Sequence, residues 1–384
     1  MFLMKGNMKN KDLNKLIKKI KQNVFYNKKY SGVNISSLDE APFIDSDDIQ
    51  DIYSHSRRGG STVFFTSGTT DDPKSIYYGD GDIDYMTSYI KWFCDTEGAN
   101  KKEVVLVLMD QAFWGVGYMT GLGHIEAGNT VIPVDNDLSP QKIKEIIDAV
   151  KPTVISSLPS VLLEIKDYID DYKFKIIETT GEILSKEDRK EIEIKYGGEV
   201  FDAYGLTEAI IGIECKKHDG YHYDQEKVYL EIVDPATKDK KQDGEWGELV
   251  VTTINYKEES TPVVRYLTGD KCKLSKEKCG CGLKHPKVWI EDRVNPTIKL
   301  HEGYKMEINE IENILKKSLN KEFESDVSVE KVSESKYLLI IKTNVNITEK
   351  ERENITDNFV KYSYELMHMI RNKKLSFKFI YEQD

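Results

Sequence analysis

Three short stretches carry residue types that together can hold a nucleotide. The first is Phe65-Thr66-Ser67-Gly68-Thr69-Thr70-Asp71-Asp72-Pro73-Lys74, which follows a β-branched and aromatic run directly. Such a loop offers backbone N–H groups and hydroxyls to phosphate oxygens, its glycine admits close approach, and Lys74 adds a cation. It is not a P-loop, because G-x-x-x-x-G-K-[ST] is absent. A polar surface turn has the same composition. The second is Phe201-Asp202-Ala203-Tyr204-Gly205-Leu206-Thr207-Glu208. An aromatic can stack on a base, a hydroxyl can meet phosphate, and Glu208 can hold Mg²⁺ through oxygen. Core tyrosines also occur in such places. The third ends Thr268-Gly269-Asp270. A carboxylate there can accept from two vicinal ribose hydroxyls, and an ordinary Asp-containing turn has the same letters.

A second kind of chemistry is written in the cysteines. Cys279-Gly280-Cys281-Gly282 sets two thiols in a glycine-rich knuckle, and Cys215 and His222 lie upstream. Cys₃His is a tetrahedral zinc set. C-x-C spacing is a weaker signal than paired C-x-x-C, and reduced thiols in a turn are the alternative. Cys94 and Cys272 read as ordinary buried thiols.

The elements that must position these residues alternate. Thr62 to Phe65, Val104 to Met109, Thr130 to Val134, Thr153 to Ser156, Ile176 to Thr179 and Val200 to Ala203 read as strands. Gly115, Gly117, Gly121 and Gly123 punctuate a helix. Further helices are expected over Ser139 to Val150, Val161 to Tyr168 and Ser185 to Tyr196. Strands alternating with helices predict an α/β fold with mostly parallel sheets. Tyr221 to Lys273 reads as an antiparallel subdomain. From about Arg293 the texture becomes α+β: a helix Asn309 to Leu319, strands Val327 to Val332 and Tyr337 to Thr343, one long helix Thr348 to Ile370, and a last strand Leu375 to Tyr381. The expected organisation is a large domain over 1–292 and a small one over 293–384.

The 384 residues carry a net charge of −11, which disfavours general binding to nucleic acid. The longest apolar runs, Val104 to Met109 and Tyr337 to Ile341, are too short to span a bilayer. The N-terminus is lysine-rich without an apolar h-region, so it does not read as a signal peptide. Leu13, Leu16, Ile17 and Ile20 place one apolar stripe on a basic helix whose lysines read as a solvated face. Five cysteines do not make a disulfide scaffold. A cytoplasmic protein with no membrane partner is expected, and a homodimer is compatible with the sequence.

In this order and with these gaps the three stretches resemble the adenylate-forming enzymes, and more closely their phenylacetate–CoA ligase-like branch. The resemblance runs from the strand before Thr66 to about Glu312. It takes in Gly181-Glu182, Gly247 to Thr253, and Asp292-Arg293 leading to Gly303 and Ile311-Glu312. It implies that Thr66, Ser67, Gly68, Thr69, Thr70 and Lys74 form the loop over the ATP β/γ-phosphates. Gly181 and Glu182 would border the adenine, with Tyr204 packed on its ring between Ala203 and Gly205. Thr207 would meet the α-phosphate, Glu208 would bind Mg²⁺, and Asp270 would hold the ribose hydroxyls with Arg293 nearby. Asp71 stands where the branch commonly has glycine, and is expected to point to solvent. Members of the branch resemble this chain at Cys215, His222, Cys279 and Cys281, and some carry structural zinc there.

Two departures accompany the resemblance. The catalytic lysine usual near the C-terminus is expected to be absent, because Lys373, Lys374 and Lys378 sit beside or in the last strand. At the hinge, Asn295-Pro296 replaces a common Asp and stiffens its neighbour. His301, Gly303 and Tyr304 resemble the stretch that approaches a pantetheine arm. The expected reaction is ATP-dependent activation of a carboxylic acid, small and aromatic by resemblance, to an acyl-adenylate, then transfer to a thiol such as CoA. Trp114, Tyr118, Met119, Ile210 and Ile211 are candidate pocket walls, and each fits plain core equally. The alternatives are transfer to an amine or carrier protein, and a silent nucleotide-binding protein, against which Tyr204, Glu208 and Asp270 argue.

Overall fold

The computed structural model describes residues 16–18, 20–35, 37–54, 62–65, 75–100, 102–112, 114–169, 172–254, 262–294, 297–299, 305–319, 321, 323–333 and 336–381. They fall into two compact units, one within residues 16–294 and one within 297–381.

In the first unit, β1 (Thr62–Phe65) and β2 (Ser75–Tyr78) form an antiparallel pair. All other strands of this unit join one eleven-stranded sheet. Its parallel half contains β3 (Val104–Leu108), β4 (Thr130–Val134), β5 (Val154–Ser157), β6 (Ile176–Thr180) and β7 (Glu199–Gly205), in the order β7-β6-β5-β3-β4. The inner strands β3, β5 and β6 are Val- and Ile-rich and almost wholly buried, as covered parallel strands must be. The helix Lys186–Tyr196 starts where the Ser185 hydroxyl accepts from Asp188 N at 2.9 Å, and stops at Gly197. A helix missing from the sequence reading, Asp80–Glu97, buries Tyr85, Tyr89, Phe93, Cys94 and Glu97 on one face.

The antiparallel strands continue the same sheet rather than forming a separate subdomain. They are β8 (Ile210–Ile213), β9 (Tyr221–His222), β10 (Val228–Val233), β11 (Gly247–Thr253), β12 (Tyr266–Ser275) and β13 (Lys287–Arg293), in the order β10-β11-β12-β13-β9-β8 up to β7. β9 pairs with β8 through Ile213↔His222 alone and with β13 through two residue pairs. From β7 to β12 is four strand steps, about 19 Å if the sheet were flat. Yet Tyr204 on β7 hydrogen-bonds Asp270 on β12 at 2.6 Å. The antiparallel half therefore curls over the end of the parallel half.

The second unit contains β14 (Thr297–Lys299) paired with β15 (Lys305–Glu307), the helix Ile308–Ser318, and a three-stranded sheet. In that sheet β16 (Ser325–Ser333) runs antiparallel to β17 (Lys336–Thr343), and β18 (Leu375–Tyr381) runs parallel to β17. Phe359 and Phe377 stack at 5.4 Å in its core. The single helix expected over Thr348 to Ile370 is two, Glu349–Tyr362 and Tyr364–Arg371. Ser363 divides them with extended backbone, and its hydroxyl caps the second helix by accepting from Leu366 N. Lys373 lies exposed in the turn before β18, and Lys378 is exposed on β18. Among the described residues, no helix is long and apolar enough to cross a membrane.

Candidate active site

Asp270 is the centre of the site. It is almost fully buried, and its two oxygens are already engaged on one side each. Oδ2 accepts from the Tyr204 hydroxyl at 2.6 Å, and Oδ1 from Arg293 Nη1 at 2.9 Å. A carboxylate has about four acceptor positions, so each oxygen keeps one for a further donor. Arg293 is held in turn by the Thr268 carbonyl at 3.1 Å. Gly269 makes that approach feasible: its φ is +72°, and an added Cβ would lie 3.2 Å from Arg293 Nη2. Burial, and after it the Asp270 carboxylate, hold the Tyr204 phenol well above its ordinary range, so it remains a donor.

Beside Tyr204 lie the other expected nucleotide contacts of this unit. Parallel pairing sets Thr180 against Ala203, which brings Gly181 and the stretch Ala203–Gly205 to the same ends of adjacent strands. The Thr180 hydroxyl donates to the Ala203 carbonyl at 2.8 Å. Gly181 turns the chain at φ +80°, and Glu182 accepts from Ser160 N at 2.9 Å and its hydroxyl at 2.7 Å. Thr207 and Glu208 form the two-residue tip of the β7–β8 hairpin, closed by reciprocal bonds between Leu206 and Ala209. Both are half-buried.

Thr66, Ser67, Gly68, Thr69, Thr70, Asp71 and Lys74 lie outside the described residues, as do Asn295, Pro296, His301, Gly303 and Tyr304. The strands flanking the first of these segments are described. The Tyr78 hydroxyl of β2 donates to the Thr207 carbonyl. The β1–β2 pair and the Thr207–Glu208 tip are thus in direct contact. Phe64 on β1 packs on Tyr78 and on Tyr118, both at 5.6 Å.

The candidate pocket residues separate by burial. Ile211 is fully buried and Met119 nearly so, and both belong to the continuous core. Ile210 is half-buried, Trp114 likewise, and Tyr118 is exposed against Phe64.

Beneath Tyr204 sits a carboxyl that the sequence reading missed. Asp202 is buried and accepts from the Thr179 and Tyr221 hydroxyls, each at 2.5 Å. Burial, then the charge of Glu214, push it up to about 7. Glu214 is itself gripped by Arg189 through two bonds of 2.7 and 2.8 Å. The Tyr221 ring packs on Tyr204 at 5.8 Å.

The four expected metal ligands converge. Cys215, His222, Cys279 and Cys281 place one ligand atom each within 4.8 Å of one another. Cys215 Sγ lies 3.8 Å from Cys279 Sγ, and Cys281 Sγ lies 3.4 Å from His222 Nε2. Zinc bonds of about 2.3 Å to sulfur and 2.0–2.1 Å to nitrogen give tetrahedral edges of about 3.8 and 3.6 Å. His222 Nδ1 donates to the His285 carbonyl at 2.8 Å, which leaves Nε2 as the lone-pair atom facing the thiols. Burial above all pushes the Cys215 thiol up to about 12, and the neighbouring Cys281 and Cys279 add to it. The donor set and its spacing fit a zinc ion, which would hold these groups as ligands.

A second cluster looks similar and is not. Cys94 Sγ meets His124 Nδ1 at 3.3 Å, while His124 Nε2 meets Glu178 at 3.0 Å. Partners on opposite ring nitrogens form a relay, not a chelate. Asn129 Nδ2, oriented by the Ala99 carbonyl, also points at Nδ1, at 3.2 Å. The ring proton therefore sits on Nε2, toward Glu178. Both oxygens of Glu97 and one of Glu178 are buried with no donor facing them. Burial and then Glu178 hold Glu97 well above the carboxylate range, so a neutral Glu97 donating to Glu178 satisfies one oxygen of each.

Comparison with known proteins agrees with this geometry. The family model described as AMP-binding enzyme matches residues 21–256. The chain is 28% identical over 256 residues to a phenylacetate-coenzyme A ligase of Pseudomonas putida, covering 62% of this chain and 58% of that protein. It is 28% identical over 272 residues to one from Thermus thermophilus, covering 65% and 59%. The chain thus spans just under three fifths of the length of these curated relatives. In fold it is similar to a 2-hydroxyisobutyryl-CoA ligase solved with 2-HIB-AMP and CoA in the thioesterification state. The TM-score is 0.78 at 17% identity, over 97% of this chain and 87% of that one. The family match covers well over half of the sequence, and this chain is a member of the AMP-binding enzyme family.

Proposed function

We propose that this chain joins a carboxylic acid, a small aromatic one, to AMP and then transfers the acyl group to a thiol such as CoA. The observation that carries the reading is the meeting of Tyr204, Asp270 and Arg293, far apart in sequence, beside the Gly181 turn and the Thr207–Glu208 tip.

The residues act by position and charge. Asp270 takes the two ribose hydroxyls on its remaining lone pairs. Gly181, Glu182, Ala203, Tyr204 and Gly205 border the base. The Thr207 hydroxyl donates to an α-phosphate oxygen, where charge grows as the acid attacks in line. The carboxylate oxygen bonds to the α-phosphorus, the bond to the bridging oxygen breaks, and pyrophosphate leaves. A thiolate then forms the acyl–sulfur bond and AMP departs. Glu208 would hold Mg²⁺, which would supply positive charge opposite the leaving phosphates. Thr66 to Thr70 and Lys74 would close over the β/γ-phosphates. Ile210 and Tyr118, with surface left to offer, are better pocket walls than Ile211. Cys215, His222, Cys279 and Cys281 would hold a structural zinc that pins β9. ATP chemistry and the reduced thiolates that such a metal set requires fit a cytoplasmic setting.

ATP–pyrophosphate exchange over a panel of aryl and short aliphatic acids tests the reading. Exchange with an aryl acid, and a thioester on adding CoA, is expected. Exchange without a thioester transfers the product to an amine or carrier protein instead. ATP binding with no exchange for any acid sinks the proposal.

A further inference from the structure

Three buried phenols point at one short segment. Tyr78 donates to the Thr207 carbonyl, Tyr85 to the Ile210 carbonyl at 3.0 Å, and Tyr89 to the Ile211 carbonyl at 3.4 Å. Tyr85 and Tyr89 are four apart on the helix Asp80–Glu97, so they lie on one face, and their rings meet at 5.5 Å. Tyr78 precedes that helix at the end of β2. Tyr89 also accepts from Asp224 N at 3.1 Å, which ties its hydroxyl on both sides.

The topology gives a reason for this arrangement. β8 has β7 on one side, but among the described residues it meets β9 only at Ile213↔His222, and no second strand of these pairs with it toward the hairpin tip. A β-bulge between Tyr204 and Gly205 further disturbs the ladder. Backbone carbonyls in a buried place need donors. Phenols supply them from a neighbouring element, and burial keeps all three hydroxyls protonated well beyond neutral pH.

We propose that Tyr78, Tyr85 and Tyr89 form a positioning ladder that stands in for a missing strand and fixes the segment Thr207–Ile211. Its first rung sets the Thr207–Glu208 tip, and its second and third set the Ile210–Ile211 wall. That division of labour rests on the adenylation reading, while the hold on the segment does not. The first rung also joins the tip to β2, so the strand that follows the expected phosphate loop and the tip that meets the α-phosphate move together.

The test uses the full chain with Tyr78→Phe and Tyr85→Phe, each of which keeps the ring and removes only the hydroxyl. Hydrogen exchange is followed by mass spectrometry, and pyrophosphate exchange is followed against Mg²⁺ and against acid. Tyr78→Phe should speed amide exchange within 206–209 by about tenfold or more and raise the half-saturating Mg²⁺ several-fold, with KM for the acid unchanged. Tyr85→Phe should loosen 210–212 and raise KM for the acid several-fold, with the Mg²⁺ requirement unchanged. Unchanged protection of 206–212 in both variants overturns the ladder, as does an equal shift of the same kinetic parameter by both. Faster local exchange in the variants of a protein whose wild type shows no pyrophosphate exchange keeps the ladder and removes the adenylation reading.

Discussion

Tyr204→Phe separates the two roles that one side chain could have. The lost bond is 2.6 Å long and ends on a carboxylate with almost no solvent contact, so it is charge-assisted. Its removal takes from Asp270 Oδ2 the donor that the Tyr204 hydroxyl supplies. Bonds of this kind contribute about 2 kcal/mol. For a chain of 384 residues that lowers Tm by about 2.5 °C. The ring stays, so packing on an adenine stays. A ribose hydroxyl can occupy the acceptor position that the phenol vacates, so binding of AMP should restore part of the loss. Differential scanning fluorimetry should therefore show a lower Tm without nucleotide and a larger AMP-induced rise than in the wild type. Calorimetry should accordingly show AMP affinity raised over the wild type, by less than about tenfold, or 1.4 kcal/mol. An unchanged Tm with a hundredfold loss of AMP affinity would refute the reasoning, because the phenol would then be a nucleotide contact and not the partner of Asp270.

Purified protein should contain about one zinc per chain, and Cys281→Ser should lower both that content and the Tm; metal analysis that finds none in fresh protein contradicts the site. Asp202 offers a pH test. Its folded carboxyl holds its proton up to about 7, against about 3.8 when unfolded, so its contribution is present below the lower value and lost as pH rises through the upper one. The loss amounts to roughly 4 kcal/mol at 1.36 per unit, and Asp202→Asn should become progressively more stable than the wild type from pH 4 to pH 8. A flat difference across that range would show that Asp202 does not titrate as described. Gly269→Ala forces a left-handed backbone on a residue whose Cβ would crowd Arg293, and should cost about 1–2 kcal/mol and weaken AMP binding. Wild-type Tm and affinity in that variant would mean that Arg293 is free to move aside.

Some of this architecture is legible in residue types alone. Thr62–Phe65 and Thr130–Val134 begin and end where their β-branched and aromatic runs do, although each buries only one residue, so the runs report strand propensity rather than burial. The helix Asp80–Glu97 escapes the same reading. It opens on Asp-Gly-Asp, which reads as a turn, and its buried face mixes Gly81, Tyr85, Thr87, Tyr89, Cys94 and Glu97 with only Met86, Ile90 and Phe93 as strong apolar residues. Motif order alone assigns Tyr204 and Asp270 to one nucleotide, but nothing in either stretch announces that they bond each other. That depends on how strongly the sheet curls, a property of eleven strands together. Glu97, Glu178 and Asp202 are hidden for a general reason. Carboxylates belong outside unless paired, and their partners His124, Thr179 and Tyr221 are distant in sequence or unremarkable as letters. The four zinc-type residues were the opposite case, since sulfur and imidazole in one neighbourhood have few other uses.

Strand β9 bears on cooperativity. The buried side chains on both sides of β9 belong to one continuous core, while the backbone ladder narrows there to one residue pair toward β8 and two toward β13. A ladder so thin adds little to cooperativity, so side chains must carry the coupling across β9. Two rivets span it: the Cys–His knuckle, and the Tyr204–Asp270 bond on the far side of the curl. A nucleotide held with its base on one half and its sugar on the other would act as a third, so occupancy of the site would be read out as the sharpness of a single unfolding transition.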